Sequence, residues 1–203
     1  MSTKYPSRHQ YPQIRYAIPL VALAGGSVLT LATGYGAAED SSTSGCGFSS
    51  EARFVESAPR DRFTIRNISS DAWRISQLQL DMSSSYGNLI FDVTGDGAGV
   101  QVFQPFRNEQ GDASLATEPG VADGDQQLTL EFSMFDPGQL YQFSIDVDDQ
   151  LAQSDLGQIR VSGSEMTGAS LLFTIVNKDS GELVEITGEF NNDNQVLLES
   201  GDC

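Results

Sequence analysis

The stretch RFTIRNI, residues 62–68, alternates polar and apolar side chains. Because side chains in a β-strand point alternately to opposite faces, a period of two predicts a strand with one face in a core and the other in solvent. The same period occurs in LTLEFSM, residues 128–134, and in YQFSIDV, residues 141–147. The turn sequence Asp136-Pro137-Gly138 separates these two runs, so we expect them to form an antiparallel hairpin.

Further strands are predicted at short intervals between turns that are rich in glycine and serine. One is marked by Trp73, Ile75, Leu78 and Leu80, with a bulge where the apolar spacing slips by one residue. The others are expected at residues 88–93 and 99–103 around the turn 94–98, in a second hairpin from 169–176 to 183–190, and in an edge strand at 196–198.

No segment has the apolar stripe of an amphipathic helix. Glycine and serine recur about every 8 to 12 residues, and each predicted strand has one apolar face. This pattern predicts an all-β fold, a single antiparallel β-sandwich of the immunoglobulin-like or jelly-roll type. The polar stretch 105–125 is expected to be a long loop.

Four short motifs lie among these strands and turns: FTIRNIS at 63–69, ISQLQLD at 75–81, FDPG at 135–138 followed by FSIDVD, and GASLLF at 168–173. Together they resemble the all-β modules of bacterial secreted and surface exoproteins of unassigned function. The resemblance covers residues 52–198. It implies a sandwich and export, and it supplies no catalytic residues.

The N-terminal region has the layout of an export signal. Residues 16–38 carry no charge, follow Lys4, Arg8 and Arg15, and run directly into Glu39 and Asp40. We therefore expect a cleaved signal peptide at 1–38, a flexible lead-in at 39–51 and the sandwich at 52–203, in a secreted or cell-envelope protein. The alternative is a retained membrane anchor, because the uncharged run is long enough to span a bilayer. After cleavage no permanent span is expected.

The charge of the chain is strongly negative. Its 203 residues include 11 basic and 28 acidic side chains, and cleavage after residue 38 would leave 8 basic and 28 acidic, a formal charge of −20. Such a surface repels nucleic acid and anionic lipid. Nucleic acid is therefore not expected as a partner, whereas a glycan or a surface protein remains a candidate.

The two cysteines, Cys46 and Cys203, stand near the two ends of the predicted domain. Exported proteins meet oxidising conditions, so we expect the two to form a disulfide. A loop of that length would contribute about 4–5 kcal/mol in the chain-entropy treatment. The alternatives are a lipid-modified Cys46, since Thr43-Ser44-Gly45 precedes it, and two free thiols.

Much catalytic chemistry is missing from the predicted mature chain. His9 is the only histidine, and it lies in the leader. Ser-His-Asp hydrolysis, histidine-based zinc sites and histidine acid–base catalysis are then excluded. We assign no catalytic residues, and an enzyme is the less favoured interpretation.

A calcium site is the metal centre that the sequence best supports. Its candidate ligands are Asp146, Asp148, Asp149 and Asp155. Side chains two apart on a strand share a face, so Asp146 and Asp148 would repel each other, and a hard cation would relieve that repulsion. The competing interpretation is a solvated acidic edge. No other cofactor is expected.

Two other acidic segments are weaker candidates for calcium. Residues 92–97 resemble the opening of an EF-hand loop, but Val100 and Phe103 stand at the ninth and twelfth positions, where oxygen ligands are needed. A hairpin turn is therefore the favoured interpretation of that segment. The loop acids Asp123 and Asp125 are a third option.

These observations favour an exported, non-catalytic protein with a binding or structural role. The alternative function is a carbohydrate-active module, which would bind sugar or hydrolyse glycosides with a pair of carboxylates. Trp73, Tyr86, Phe106 and Tyr141 are the aromatic side chains available for stacking on sugar. We expect Trp73 to fill the core instead.

Overall fold

Two five-stranded antiparallel sheets pack face to face and confirm the all-β sandwich. The computed structural model describes residues 47–70, 72–154 and 156–199. In these residues the strands are β1 Ser49–Val55, β2 Arg62–Asn67, β3 Trp73–Asp81, β4 Ile90–Phe91, β5 Arg107–Gly111, β6 Ser114–Leu115, β7 Gln127–Met134, β8 Leu140–Ser144, β9 Val147–Asp148, β10 Ser170–Asn177, β11 Leu183–Glu189 and β12 Gln195–Glu199. A four-residue helix, α1, spans Gly163–Met166.

The strand order places distant segments side by side. One sheet has the order β12-β1-β2-β8-β5 and the other has the order β11-β10-β3-β7-β6, while β4 and β9 form a separate two-stranded ribbon. The first and last of these strands are antiparallel neighbours, with Ser49 opposite Glu199. β1 thus begins at Ser49, three residues before the domain boundary that the sequence suggested.

The predicted hairpin between β7 and β8 is wrong. β7 pairs with β3 and β6, whereas β8 pairs with β2 and β5 in the opposite sheet. The turn around Pro137 therefore carries the chain from one sheet to the other. Both strands still bury their apolar faces, which meet across the sandwich where the rings of Phe132 and Tyr141 lie 5.1 Å apart. Alternation within a strand does not specify which sheet the strand joins.

The crossing between the sheets is held by Asn67. Its side-chain amide is fully buried and donates hydrogen bonds to the carbonyls of Trp73, at 3.2 Å, and Phe135, at 3.1 Å. The backbone N–H of Gly138 also donates to the Asn67 carbonyl at 2.7 Å. The inward positions of this segment thus continue from Phe63 and Ile65 to Asn67, so the last inward side chain is polar, and Ile68 is exposed.

Aromatic side chains dominate the core between the sheets. The ring of Phe63 stacks on that of Phe143 with 5.0 Å between centroids, and Phe54 and Phe106 extend the stack on either side. Trp73 is buried, as expected. Fully burying such side chains stabilises the fold by about 1.5–3 kcal/mol each.

The remaining strand predictions are confirmed in part. The β10–β11 hairpin, the edge strand β12 and the bulge in β3 all occur, with the bulge between Ile75 and Gln77. The predicted strand 88–93 is reduced to Ile90–Phe91, and residues 99–103 form no strand. The stretch 105–125 is not one long loop, because β5 and β6 lie within it. Among the described residues no helix is long and apolar enough to cross a membrane.

Candidate metal centre

Four aspartates from three separate segments are buried side by side. We call Asp61, Asp92, Asp146 and Asp148 the acidic cluster. The relative exposure of these residues is 0%, 3%, 0% and 0%. Ionised carboxylates are almost never buried in this way unless a partner neutralises them.

Backbone pairing between β4 and β9 brings the segments together. Phe91 lies opposite Val147, and the N–H of Asp92 donates to the carbonyl of Asp146 at 3.1 Å. The N–H of Ile145 donates to the carbonyl of Asp61 at 3.0 Å. The cluster is thus fixed by main-chain hydrogen bonds, which hold the carboxylates close whatever their charge.

Asp61 is the best-satisfied member of the cluster. Its Oδ1 accepts a hydrogen bond from the N–H of Ser57 at 2.8 Å, and its Oδ2 accepts one from the N–H of Val147 at 3.1 Å. Asp61 therefore orders the segment that leads into β2 and anchors β9. The negative charge of Asp61 also disfavours the ionised form of Asp146.

The other three carboxylates have oxygens without a hydrogen-bond partner among the described residues. Both side-chain oxygens of Asp146 lack one, and so does Oδ1 of Asp92 and of Asp148. Oδ2 of Asp148 accepts a hydrogen bond from the N–H of Val100 at 2.6 Å. Buried polar atoms are nearly always paired, so four unpaired oxygens in one cluster are unusual unless a proton or a positive partner neutralises them.

No basic side chain supplies that partner in the described part of the chain. The ion pairs there join Arg160 to Glu56 and Lys178 to Asp136, and neither involves the acidic cluster. The nearby Arg160 guanidinium is committed to Glu56, with 3.0 Å between Nη2 and Oε2. The positive charge would therefore have to come from a proton or from an added cation.

Burial makes the charged state of the cluster costly. Burial, together with the negative charges of Asp61 and Asp148, raises the pKa of Asp146 to about 8. Burial raises the pKa of Asp92 to about 7, with Asp148 adding to the effect, and that of Asp61 to about 7. Burial raises the pKa of Asp148 to about 6, opposed by the hydrogen bond from Val100.

The loop that follows β4 folds over the cluster and leaves space beside it. A Cβ atom on Gly99 would lie 2.5 Å from Oδ2 of Asp148 and 2.5 Å from Cγ of Asp92, so only glycine fits there. A cavity of about 270 Å³ adjoins this point and is lined by Asp92, Gly95, Gly99, Phe103 and their neighbours in the loop. The cavity gives a small ion a route to the Asp92 carboxylate.

Asp123 stands at the rim of the cluster and closes the turn 94–98. Its Oδ1 accepts hydrogen bonds from the N–H groups of Val93, at 2.8 Å, and Thr94, at 3.0 Å, and its Oδ2 accepts one from the N–H of Ala98. The hydrogen bond from Ala98 is the largest cause of the lowered pKa of Asp123, and the bonds from Val93 and Thr94 add to it. The chain does turn at 94–98, but the strands predicted on either side do not pair with each other. β4 pairs with β9 instead, and the side chain of Asp123 closes the turn.

The predicted ligands divide into two groups. The structure brings Asp146 and Asp148 together, as the sequence suggested. Asp149 is buried, with Oδ1 accepting from the N–H of Leu151 at 2.9 Å and Oδ2 unpaired in the described residues, and its charge acts on Asp148. Asp155 lies outside the described residues. Asp125 is exposed and accepts a hydrogen bond from Ala122.

Sequence reasoning missed two members of the cluster. Asp92 was visible but was interpreted within an EF-hand pattern that fails at its later positions. Asp61 lies before β2 and gave no signal, because only the pairing of β2 with β8 brings its segment near β9. Neither residue shares a local motif with Asp146.

The described carboxylates do not form a complete set of ligands for a metal ion. Among residues 47–70, 72–154 and 156–199, no three His, Cys, Asp or Glu side chains are already placed to hold one metal ion. The predicted disulfide between Cys46 and Cys203 lies outside these residues. Of the four aromatic candidates for sugar stacking, Trp73 and Tyr141 are buried in the core, Phe106 is half-buried against Phe143, and Tyr86 is exposed.

Comparisons with protein-family models, with curated proteins and with solved structures find no match to this chain.

Proposed function

We propose that this chain is an exported, non-catalytic β-sandwich protein with a binding or structural role, and that calcium bound at the acidic cluster stabilises it. The observation that carries the proposal is the set of unpaired oxygens on Asp92, Asp146 and Asp148, which are buried with no basic partner in the described chain.

The chemistry of the oxygen donors favours calcium among the common ions. Calcium takes 6–8 oxygen ligands at about 2.3–2.6 Å in flexible geometry. The unpaired oxygens of the three aspartates would supply part of that shell, with backbone carbonyls or water completing it. Histidine and cysteine, which zinc prefers, are absent from the sequence between Asp61 and Asp148.

Binding would require only small movements of side chains. The segments that carry the carboxylates are already joined by main-chain hydrogen bonds, and Gly99 leaves the space in which the carboxylates can draw together. Neutralising the charges would relieve both the desolvation of each carboxylate and the repulsion between neighbours.

The test is a calcium titration followed by thermal and urea unfolding of the secreted protein. At a calcium concentration about 100 times Kd, the free energy of unfolding should rise by about 2.7 kcal/mol over the same protein in chelator. The variant Asp146→Asn should lose this gain. In chelator at pH 8 the variant should be more stable than the wild type, because it no longer buries a charge.

The matched control is Asp179→Asn, which removes an equal charge from an exposed turn. It should keep the full response to calcium. The stabilising role would be overturned if millimolar calcium left the unfolding curve of the wild type unchanged, or if the two variants responded alike. Gly99→Ala provides a second check, since its methyl group would fill the space between Asp92 and Asp148 and weaken the response.

Export and the disulfide belong to the same proposal. Ser49 pairs with Glu199. Ser49 follows Cys46 by three residues and Glu199 precedes Cys203 by four, which supports a bond between the two cysteines. Mass spectrometry of the intact secreted protein, with and without reduction, would measure cleavage after residue 38, any lipid on Cys46 and the disulfide together. An uncleaved N-terminus or reduced thiols would contradict this part.

Glycoside hydrolysis by the acidic cluster is not proposed. Hydrolases of that kind hold two carboxyl groups about 5–9.5 Å apart across an open cleft. Asp92 and Asp148 instead lie on either side of Gly99 beneath the loop that follows β4, and both are almost fully buried. A sugar could not reach both groups without unfolding the loop over them.

A further inference from the structure

The outer face of the β12-β1-β2-β8-β5 sheet carries an unusual concentration of arginine. Arg53 on β1 and Arg62 and Arg66 on β2 are exposed and line one groove of about 350 Å³, which we call the arginine groove. Arg107 on β5 lies on the far side of the same face. Half of the 8 basic residues that follow residue 38 therefore lie on one sheet face of an otherwise acidic chain.

The β-ladder fixes the spacing of these arginines. Arg62 and Arg66 are four residues apart on β2, which places their Cα atoms about 13 Å apart along the strand. Arg53 lies opposite Thr64, midway between them and one strand away. In the other direction, Arg62 and Arg107 both lie opposite Ser144, two strand spacings or about 10 Å apart.

The arginines of the groove have no partners among the described residues. Neither of the two ion pairs there includes them, and no hydrogen bond of their guanidinium groups occurs in that part of the chain. The one acidic side chain that lines the groove is Glu51, which lies opposite Arg66. The lining thus has three positive charges and one negative charge, beside the neutral Thr64 and Gln142.

From this arrangement we infer that the arginine groove binds an anionic polysaccharide, one that carries carboxylate or sulfate groups at intervals along its chain. Guanidinium groups form bidentate hydrogen bonds with both anions. Thr64 and Gln142 lie between the arginines, where they can exchange hydrogen bonds with sugar hydroxyls. The inference does not depend on calcium, since none of the four carboxylates of the acidic cluster lines the groove.

The same observations disfavour nucleic acid. Duplex DNA carries one charge per about 1.7 Å and binds proteins that neutralise many phosphates at once. A few widely spaced arginines on a chain of strongly negative charge cannot do this. Single strands are held by stacking on aromatic side chains, and the groove lining contains none.

The experiment measures binding of the secreted protein to dextran sulfate, to hyaluronan and to uncharged dextran. Dextran sulfate tests the sulfate group, hyaluronan tests the carboxylate, and dextran has the backbone of the first without its charge. Binding is measured at about 0.1 M ionic strength, where the Debye length of about 10 Å screens distant negative charges. We expect at least one of the two anionic polymers to bind and dextran not to bind.

Two double variants of equal charge separate the groove from general electrostatics. Arg62→Gln with Arg66→Gln should weaken binding by about tenfold or more, because two charge-assisted contacts are lost. Arg74→Gln with Lys178→Gln removes the same charge from β3 and from the turn after β10, away from the groove, and should change binding by less than about twofold. Glu51→Gln should strengthen binding. If the first double variant does not fold, Arg53→Gln alone serves the same purpose.

Three results would overturn the inference. One is the absence of binding to both anionic polymers. Another is an equal loss in the two double variants. The third is a different occupant, shown by tighter binding of a DNA duplex or by a dimer that the Arg62→Gln and Arg66→Gln changes dissociate. A failed calcium titration would leave this outcome unaffected.

Discussion

The aromatic core and the acidic cluster are buried to the same degree, but they differ in what stabilises them. Phe63 and Phe143 lie in full contact with other rings and need nothing from outside the fold. Asp146 is equally inaccessible and has no partner for either oxygen in the described chain. Apolar burial is stable by itself, whereas a buried carboxylate is stable only with a proton or a cation.

The largest effect is expected in the core. Phe143→Ala removes the ring that stacks on Phe63 and Phe106, and should lower the free energy of unfolding by about 3–5 kcal/mol. Urea titration in calcium and in chelator should give the same loss, since the core does not depend on an ion. Leu183→Ala, at an exposed position of β11, is the control and should cost less than about 0.5 kcal/mol. A loss at Phe143 that varied with calcium would mean that the two regions are coupled.

The acidic cluster should make the free energy of unfolding depend on pH. The raised pKa values of Asp61, Asp92 and Asp146 mean that the folded protein holds protons which the unfolded chain releases near pH 4. In chelator, stability should therefore fall as pH rises from about 5, up to about pH 7 through Asp61 and Asp92 and up to about pH 8 through Asp146. The lowered pKa of Asp123 acts in the opposite sense and only below about pH 4.

Urea unfolding at several pH values measures this slope. Saturating calcium should flatten it, because the ion replaces the protons, and Asp146→Asn should reduce it without added calcium. A flat profile in chelator between pH 5 and pH 8 would show that the cluster is neutralised by something other than protons.

The smallest expected effect concerns the hydroxyl group of Tyr141 in the aromatic core. Tyr141 is fully buried beside Phe132, and its hydroxyl forms no hydrogen bond within the described residues. Tyr141→Phe removes that polar atom while keeping the ring, so stability should rise by about 1 kcal/mol. A shift of the thermal midpoint in both calcium and chelator would be the readout. A clear loss of stability would show that the hydroxyl has a partner after all.

The two regions also differ in how far the sequence predicts them. Alternation predicted several strands of the core, among them β2, β3 and β7, because the period of two is a local property. It did not predict β1, although Ala52 and Phe54 on that strand are buried. The same reasoning failed at Pro137, where it predicted a hairpin and the chain instead crosses between sheets. Asn67 organises that crossing through hydrogen bonds to residues as distant as Phe135, and no local pattern reveals this.

The acidic cluster was predicted only where its members are close in sequence. Asp146 and Asp148 are two residues apart, so their shared face could be inferred. Asp61 and Asp92 join them only through the pairing of β2 with β8 and of β4 with β9, which is a property of the whole topology. The abundance of acidic residues hides such a site, since many other aspartates are simply solvated.

The pairing of β1 with β12 has a mechanical consequence. Ser49 and Glu199 face each other across one ladder, so a tension applied between these two residues would open the sheet from that end, one hydrogen bond after another. Strands pulled along their length resist together, whereas strands peeled apart resist singly. A covalent link between the flanking segments would carry the load in place of this ladder.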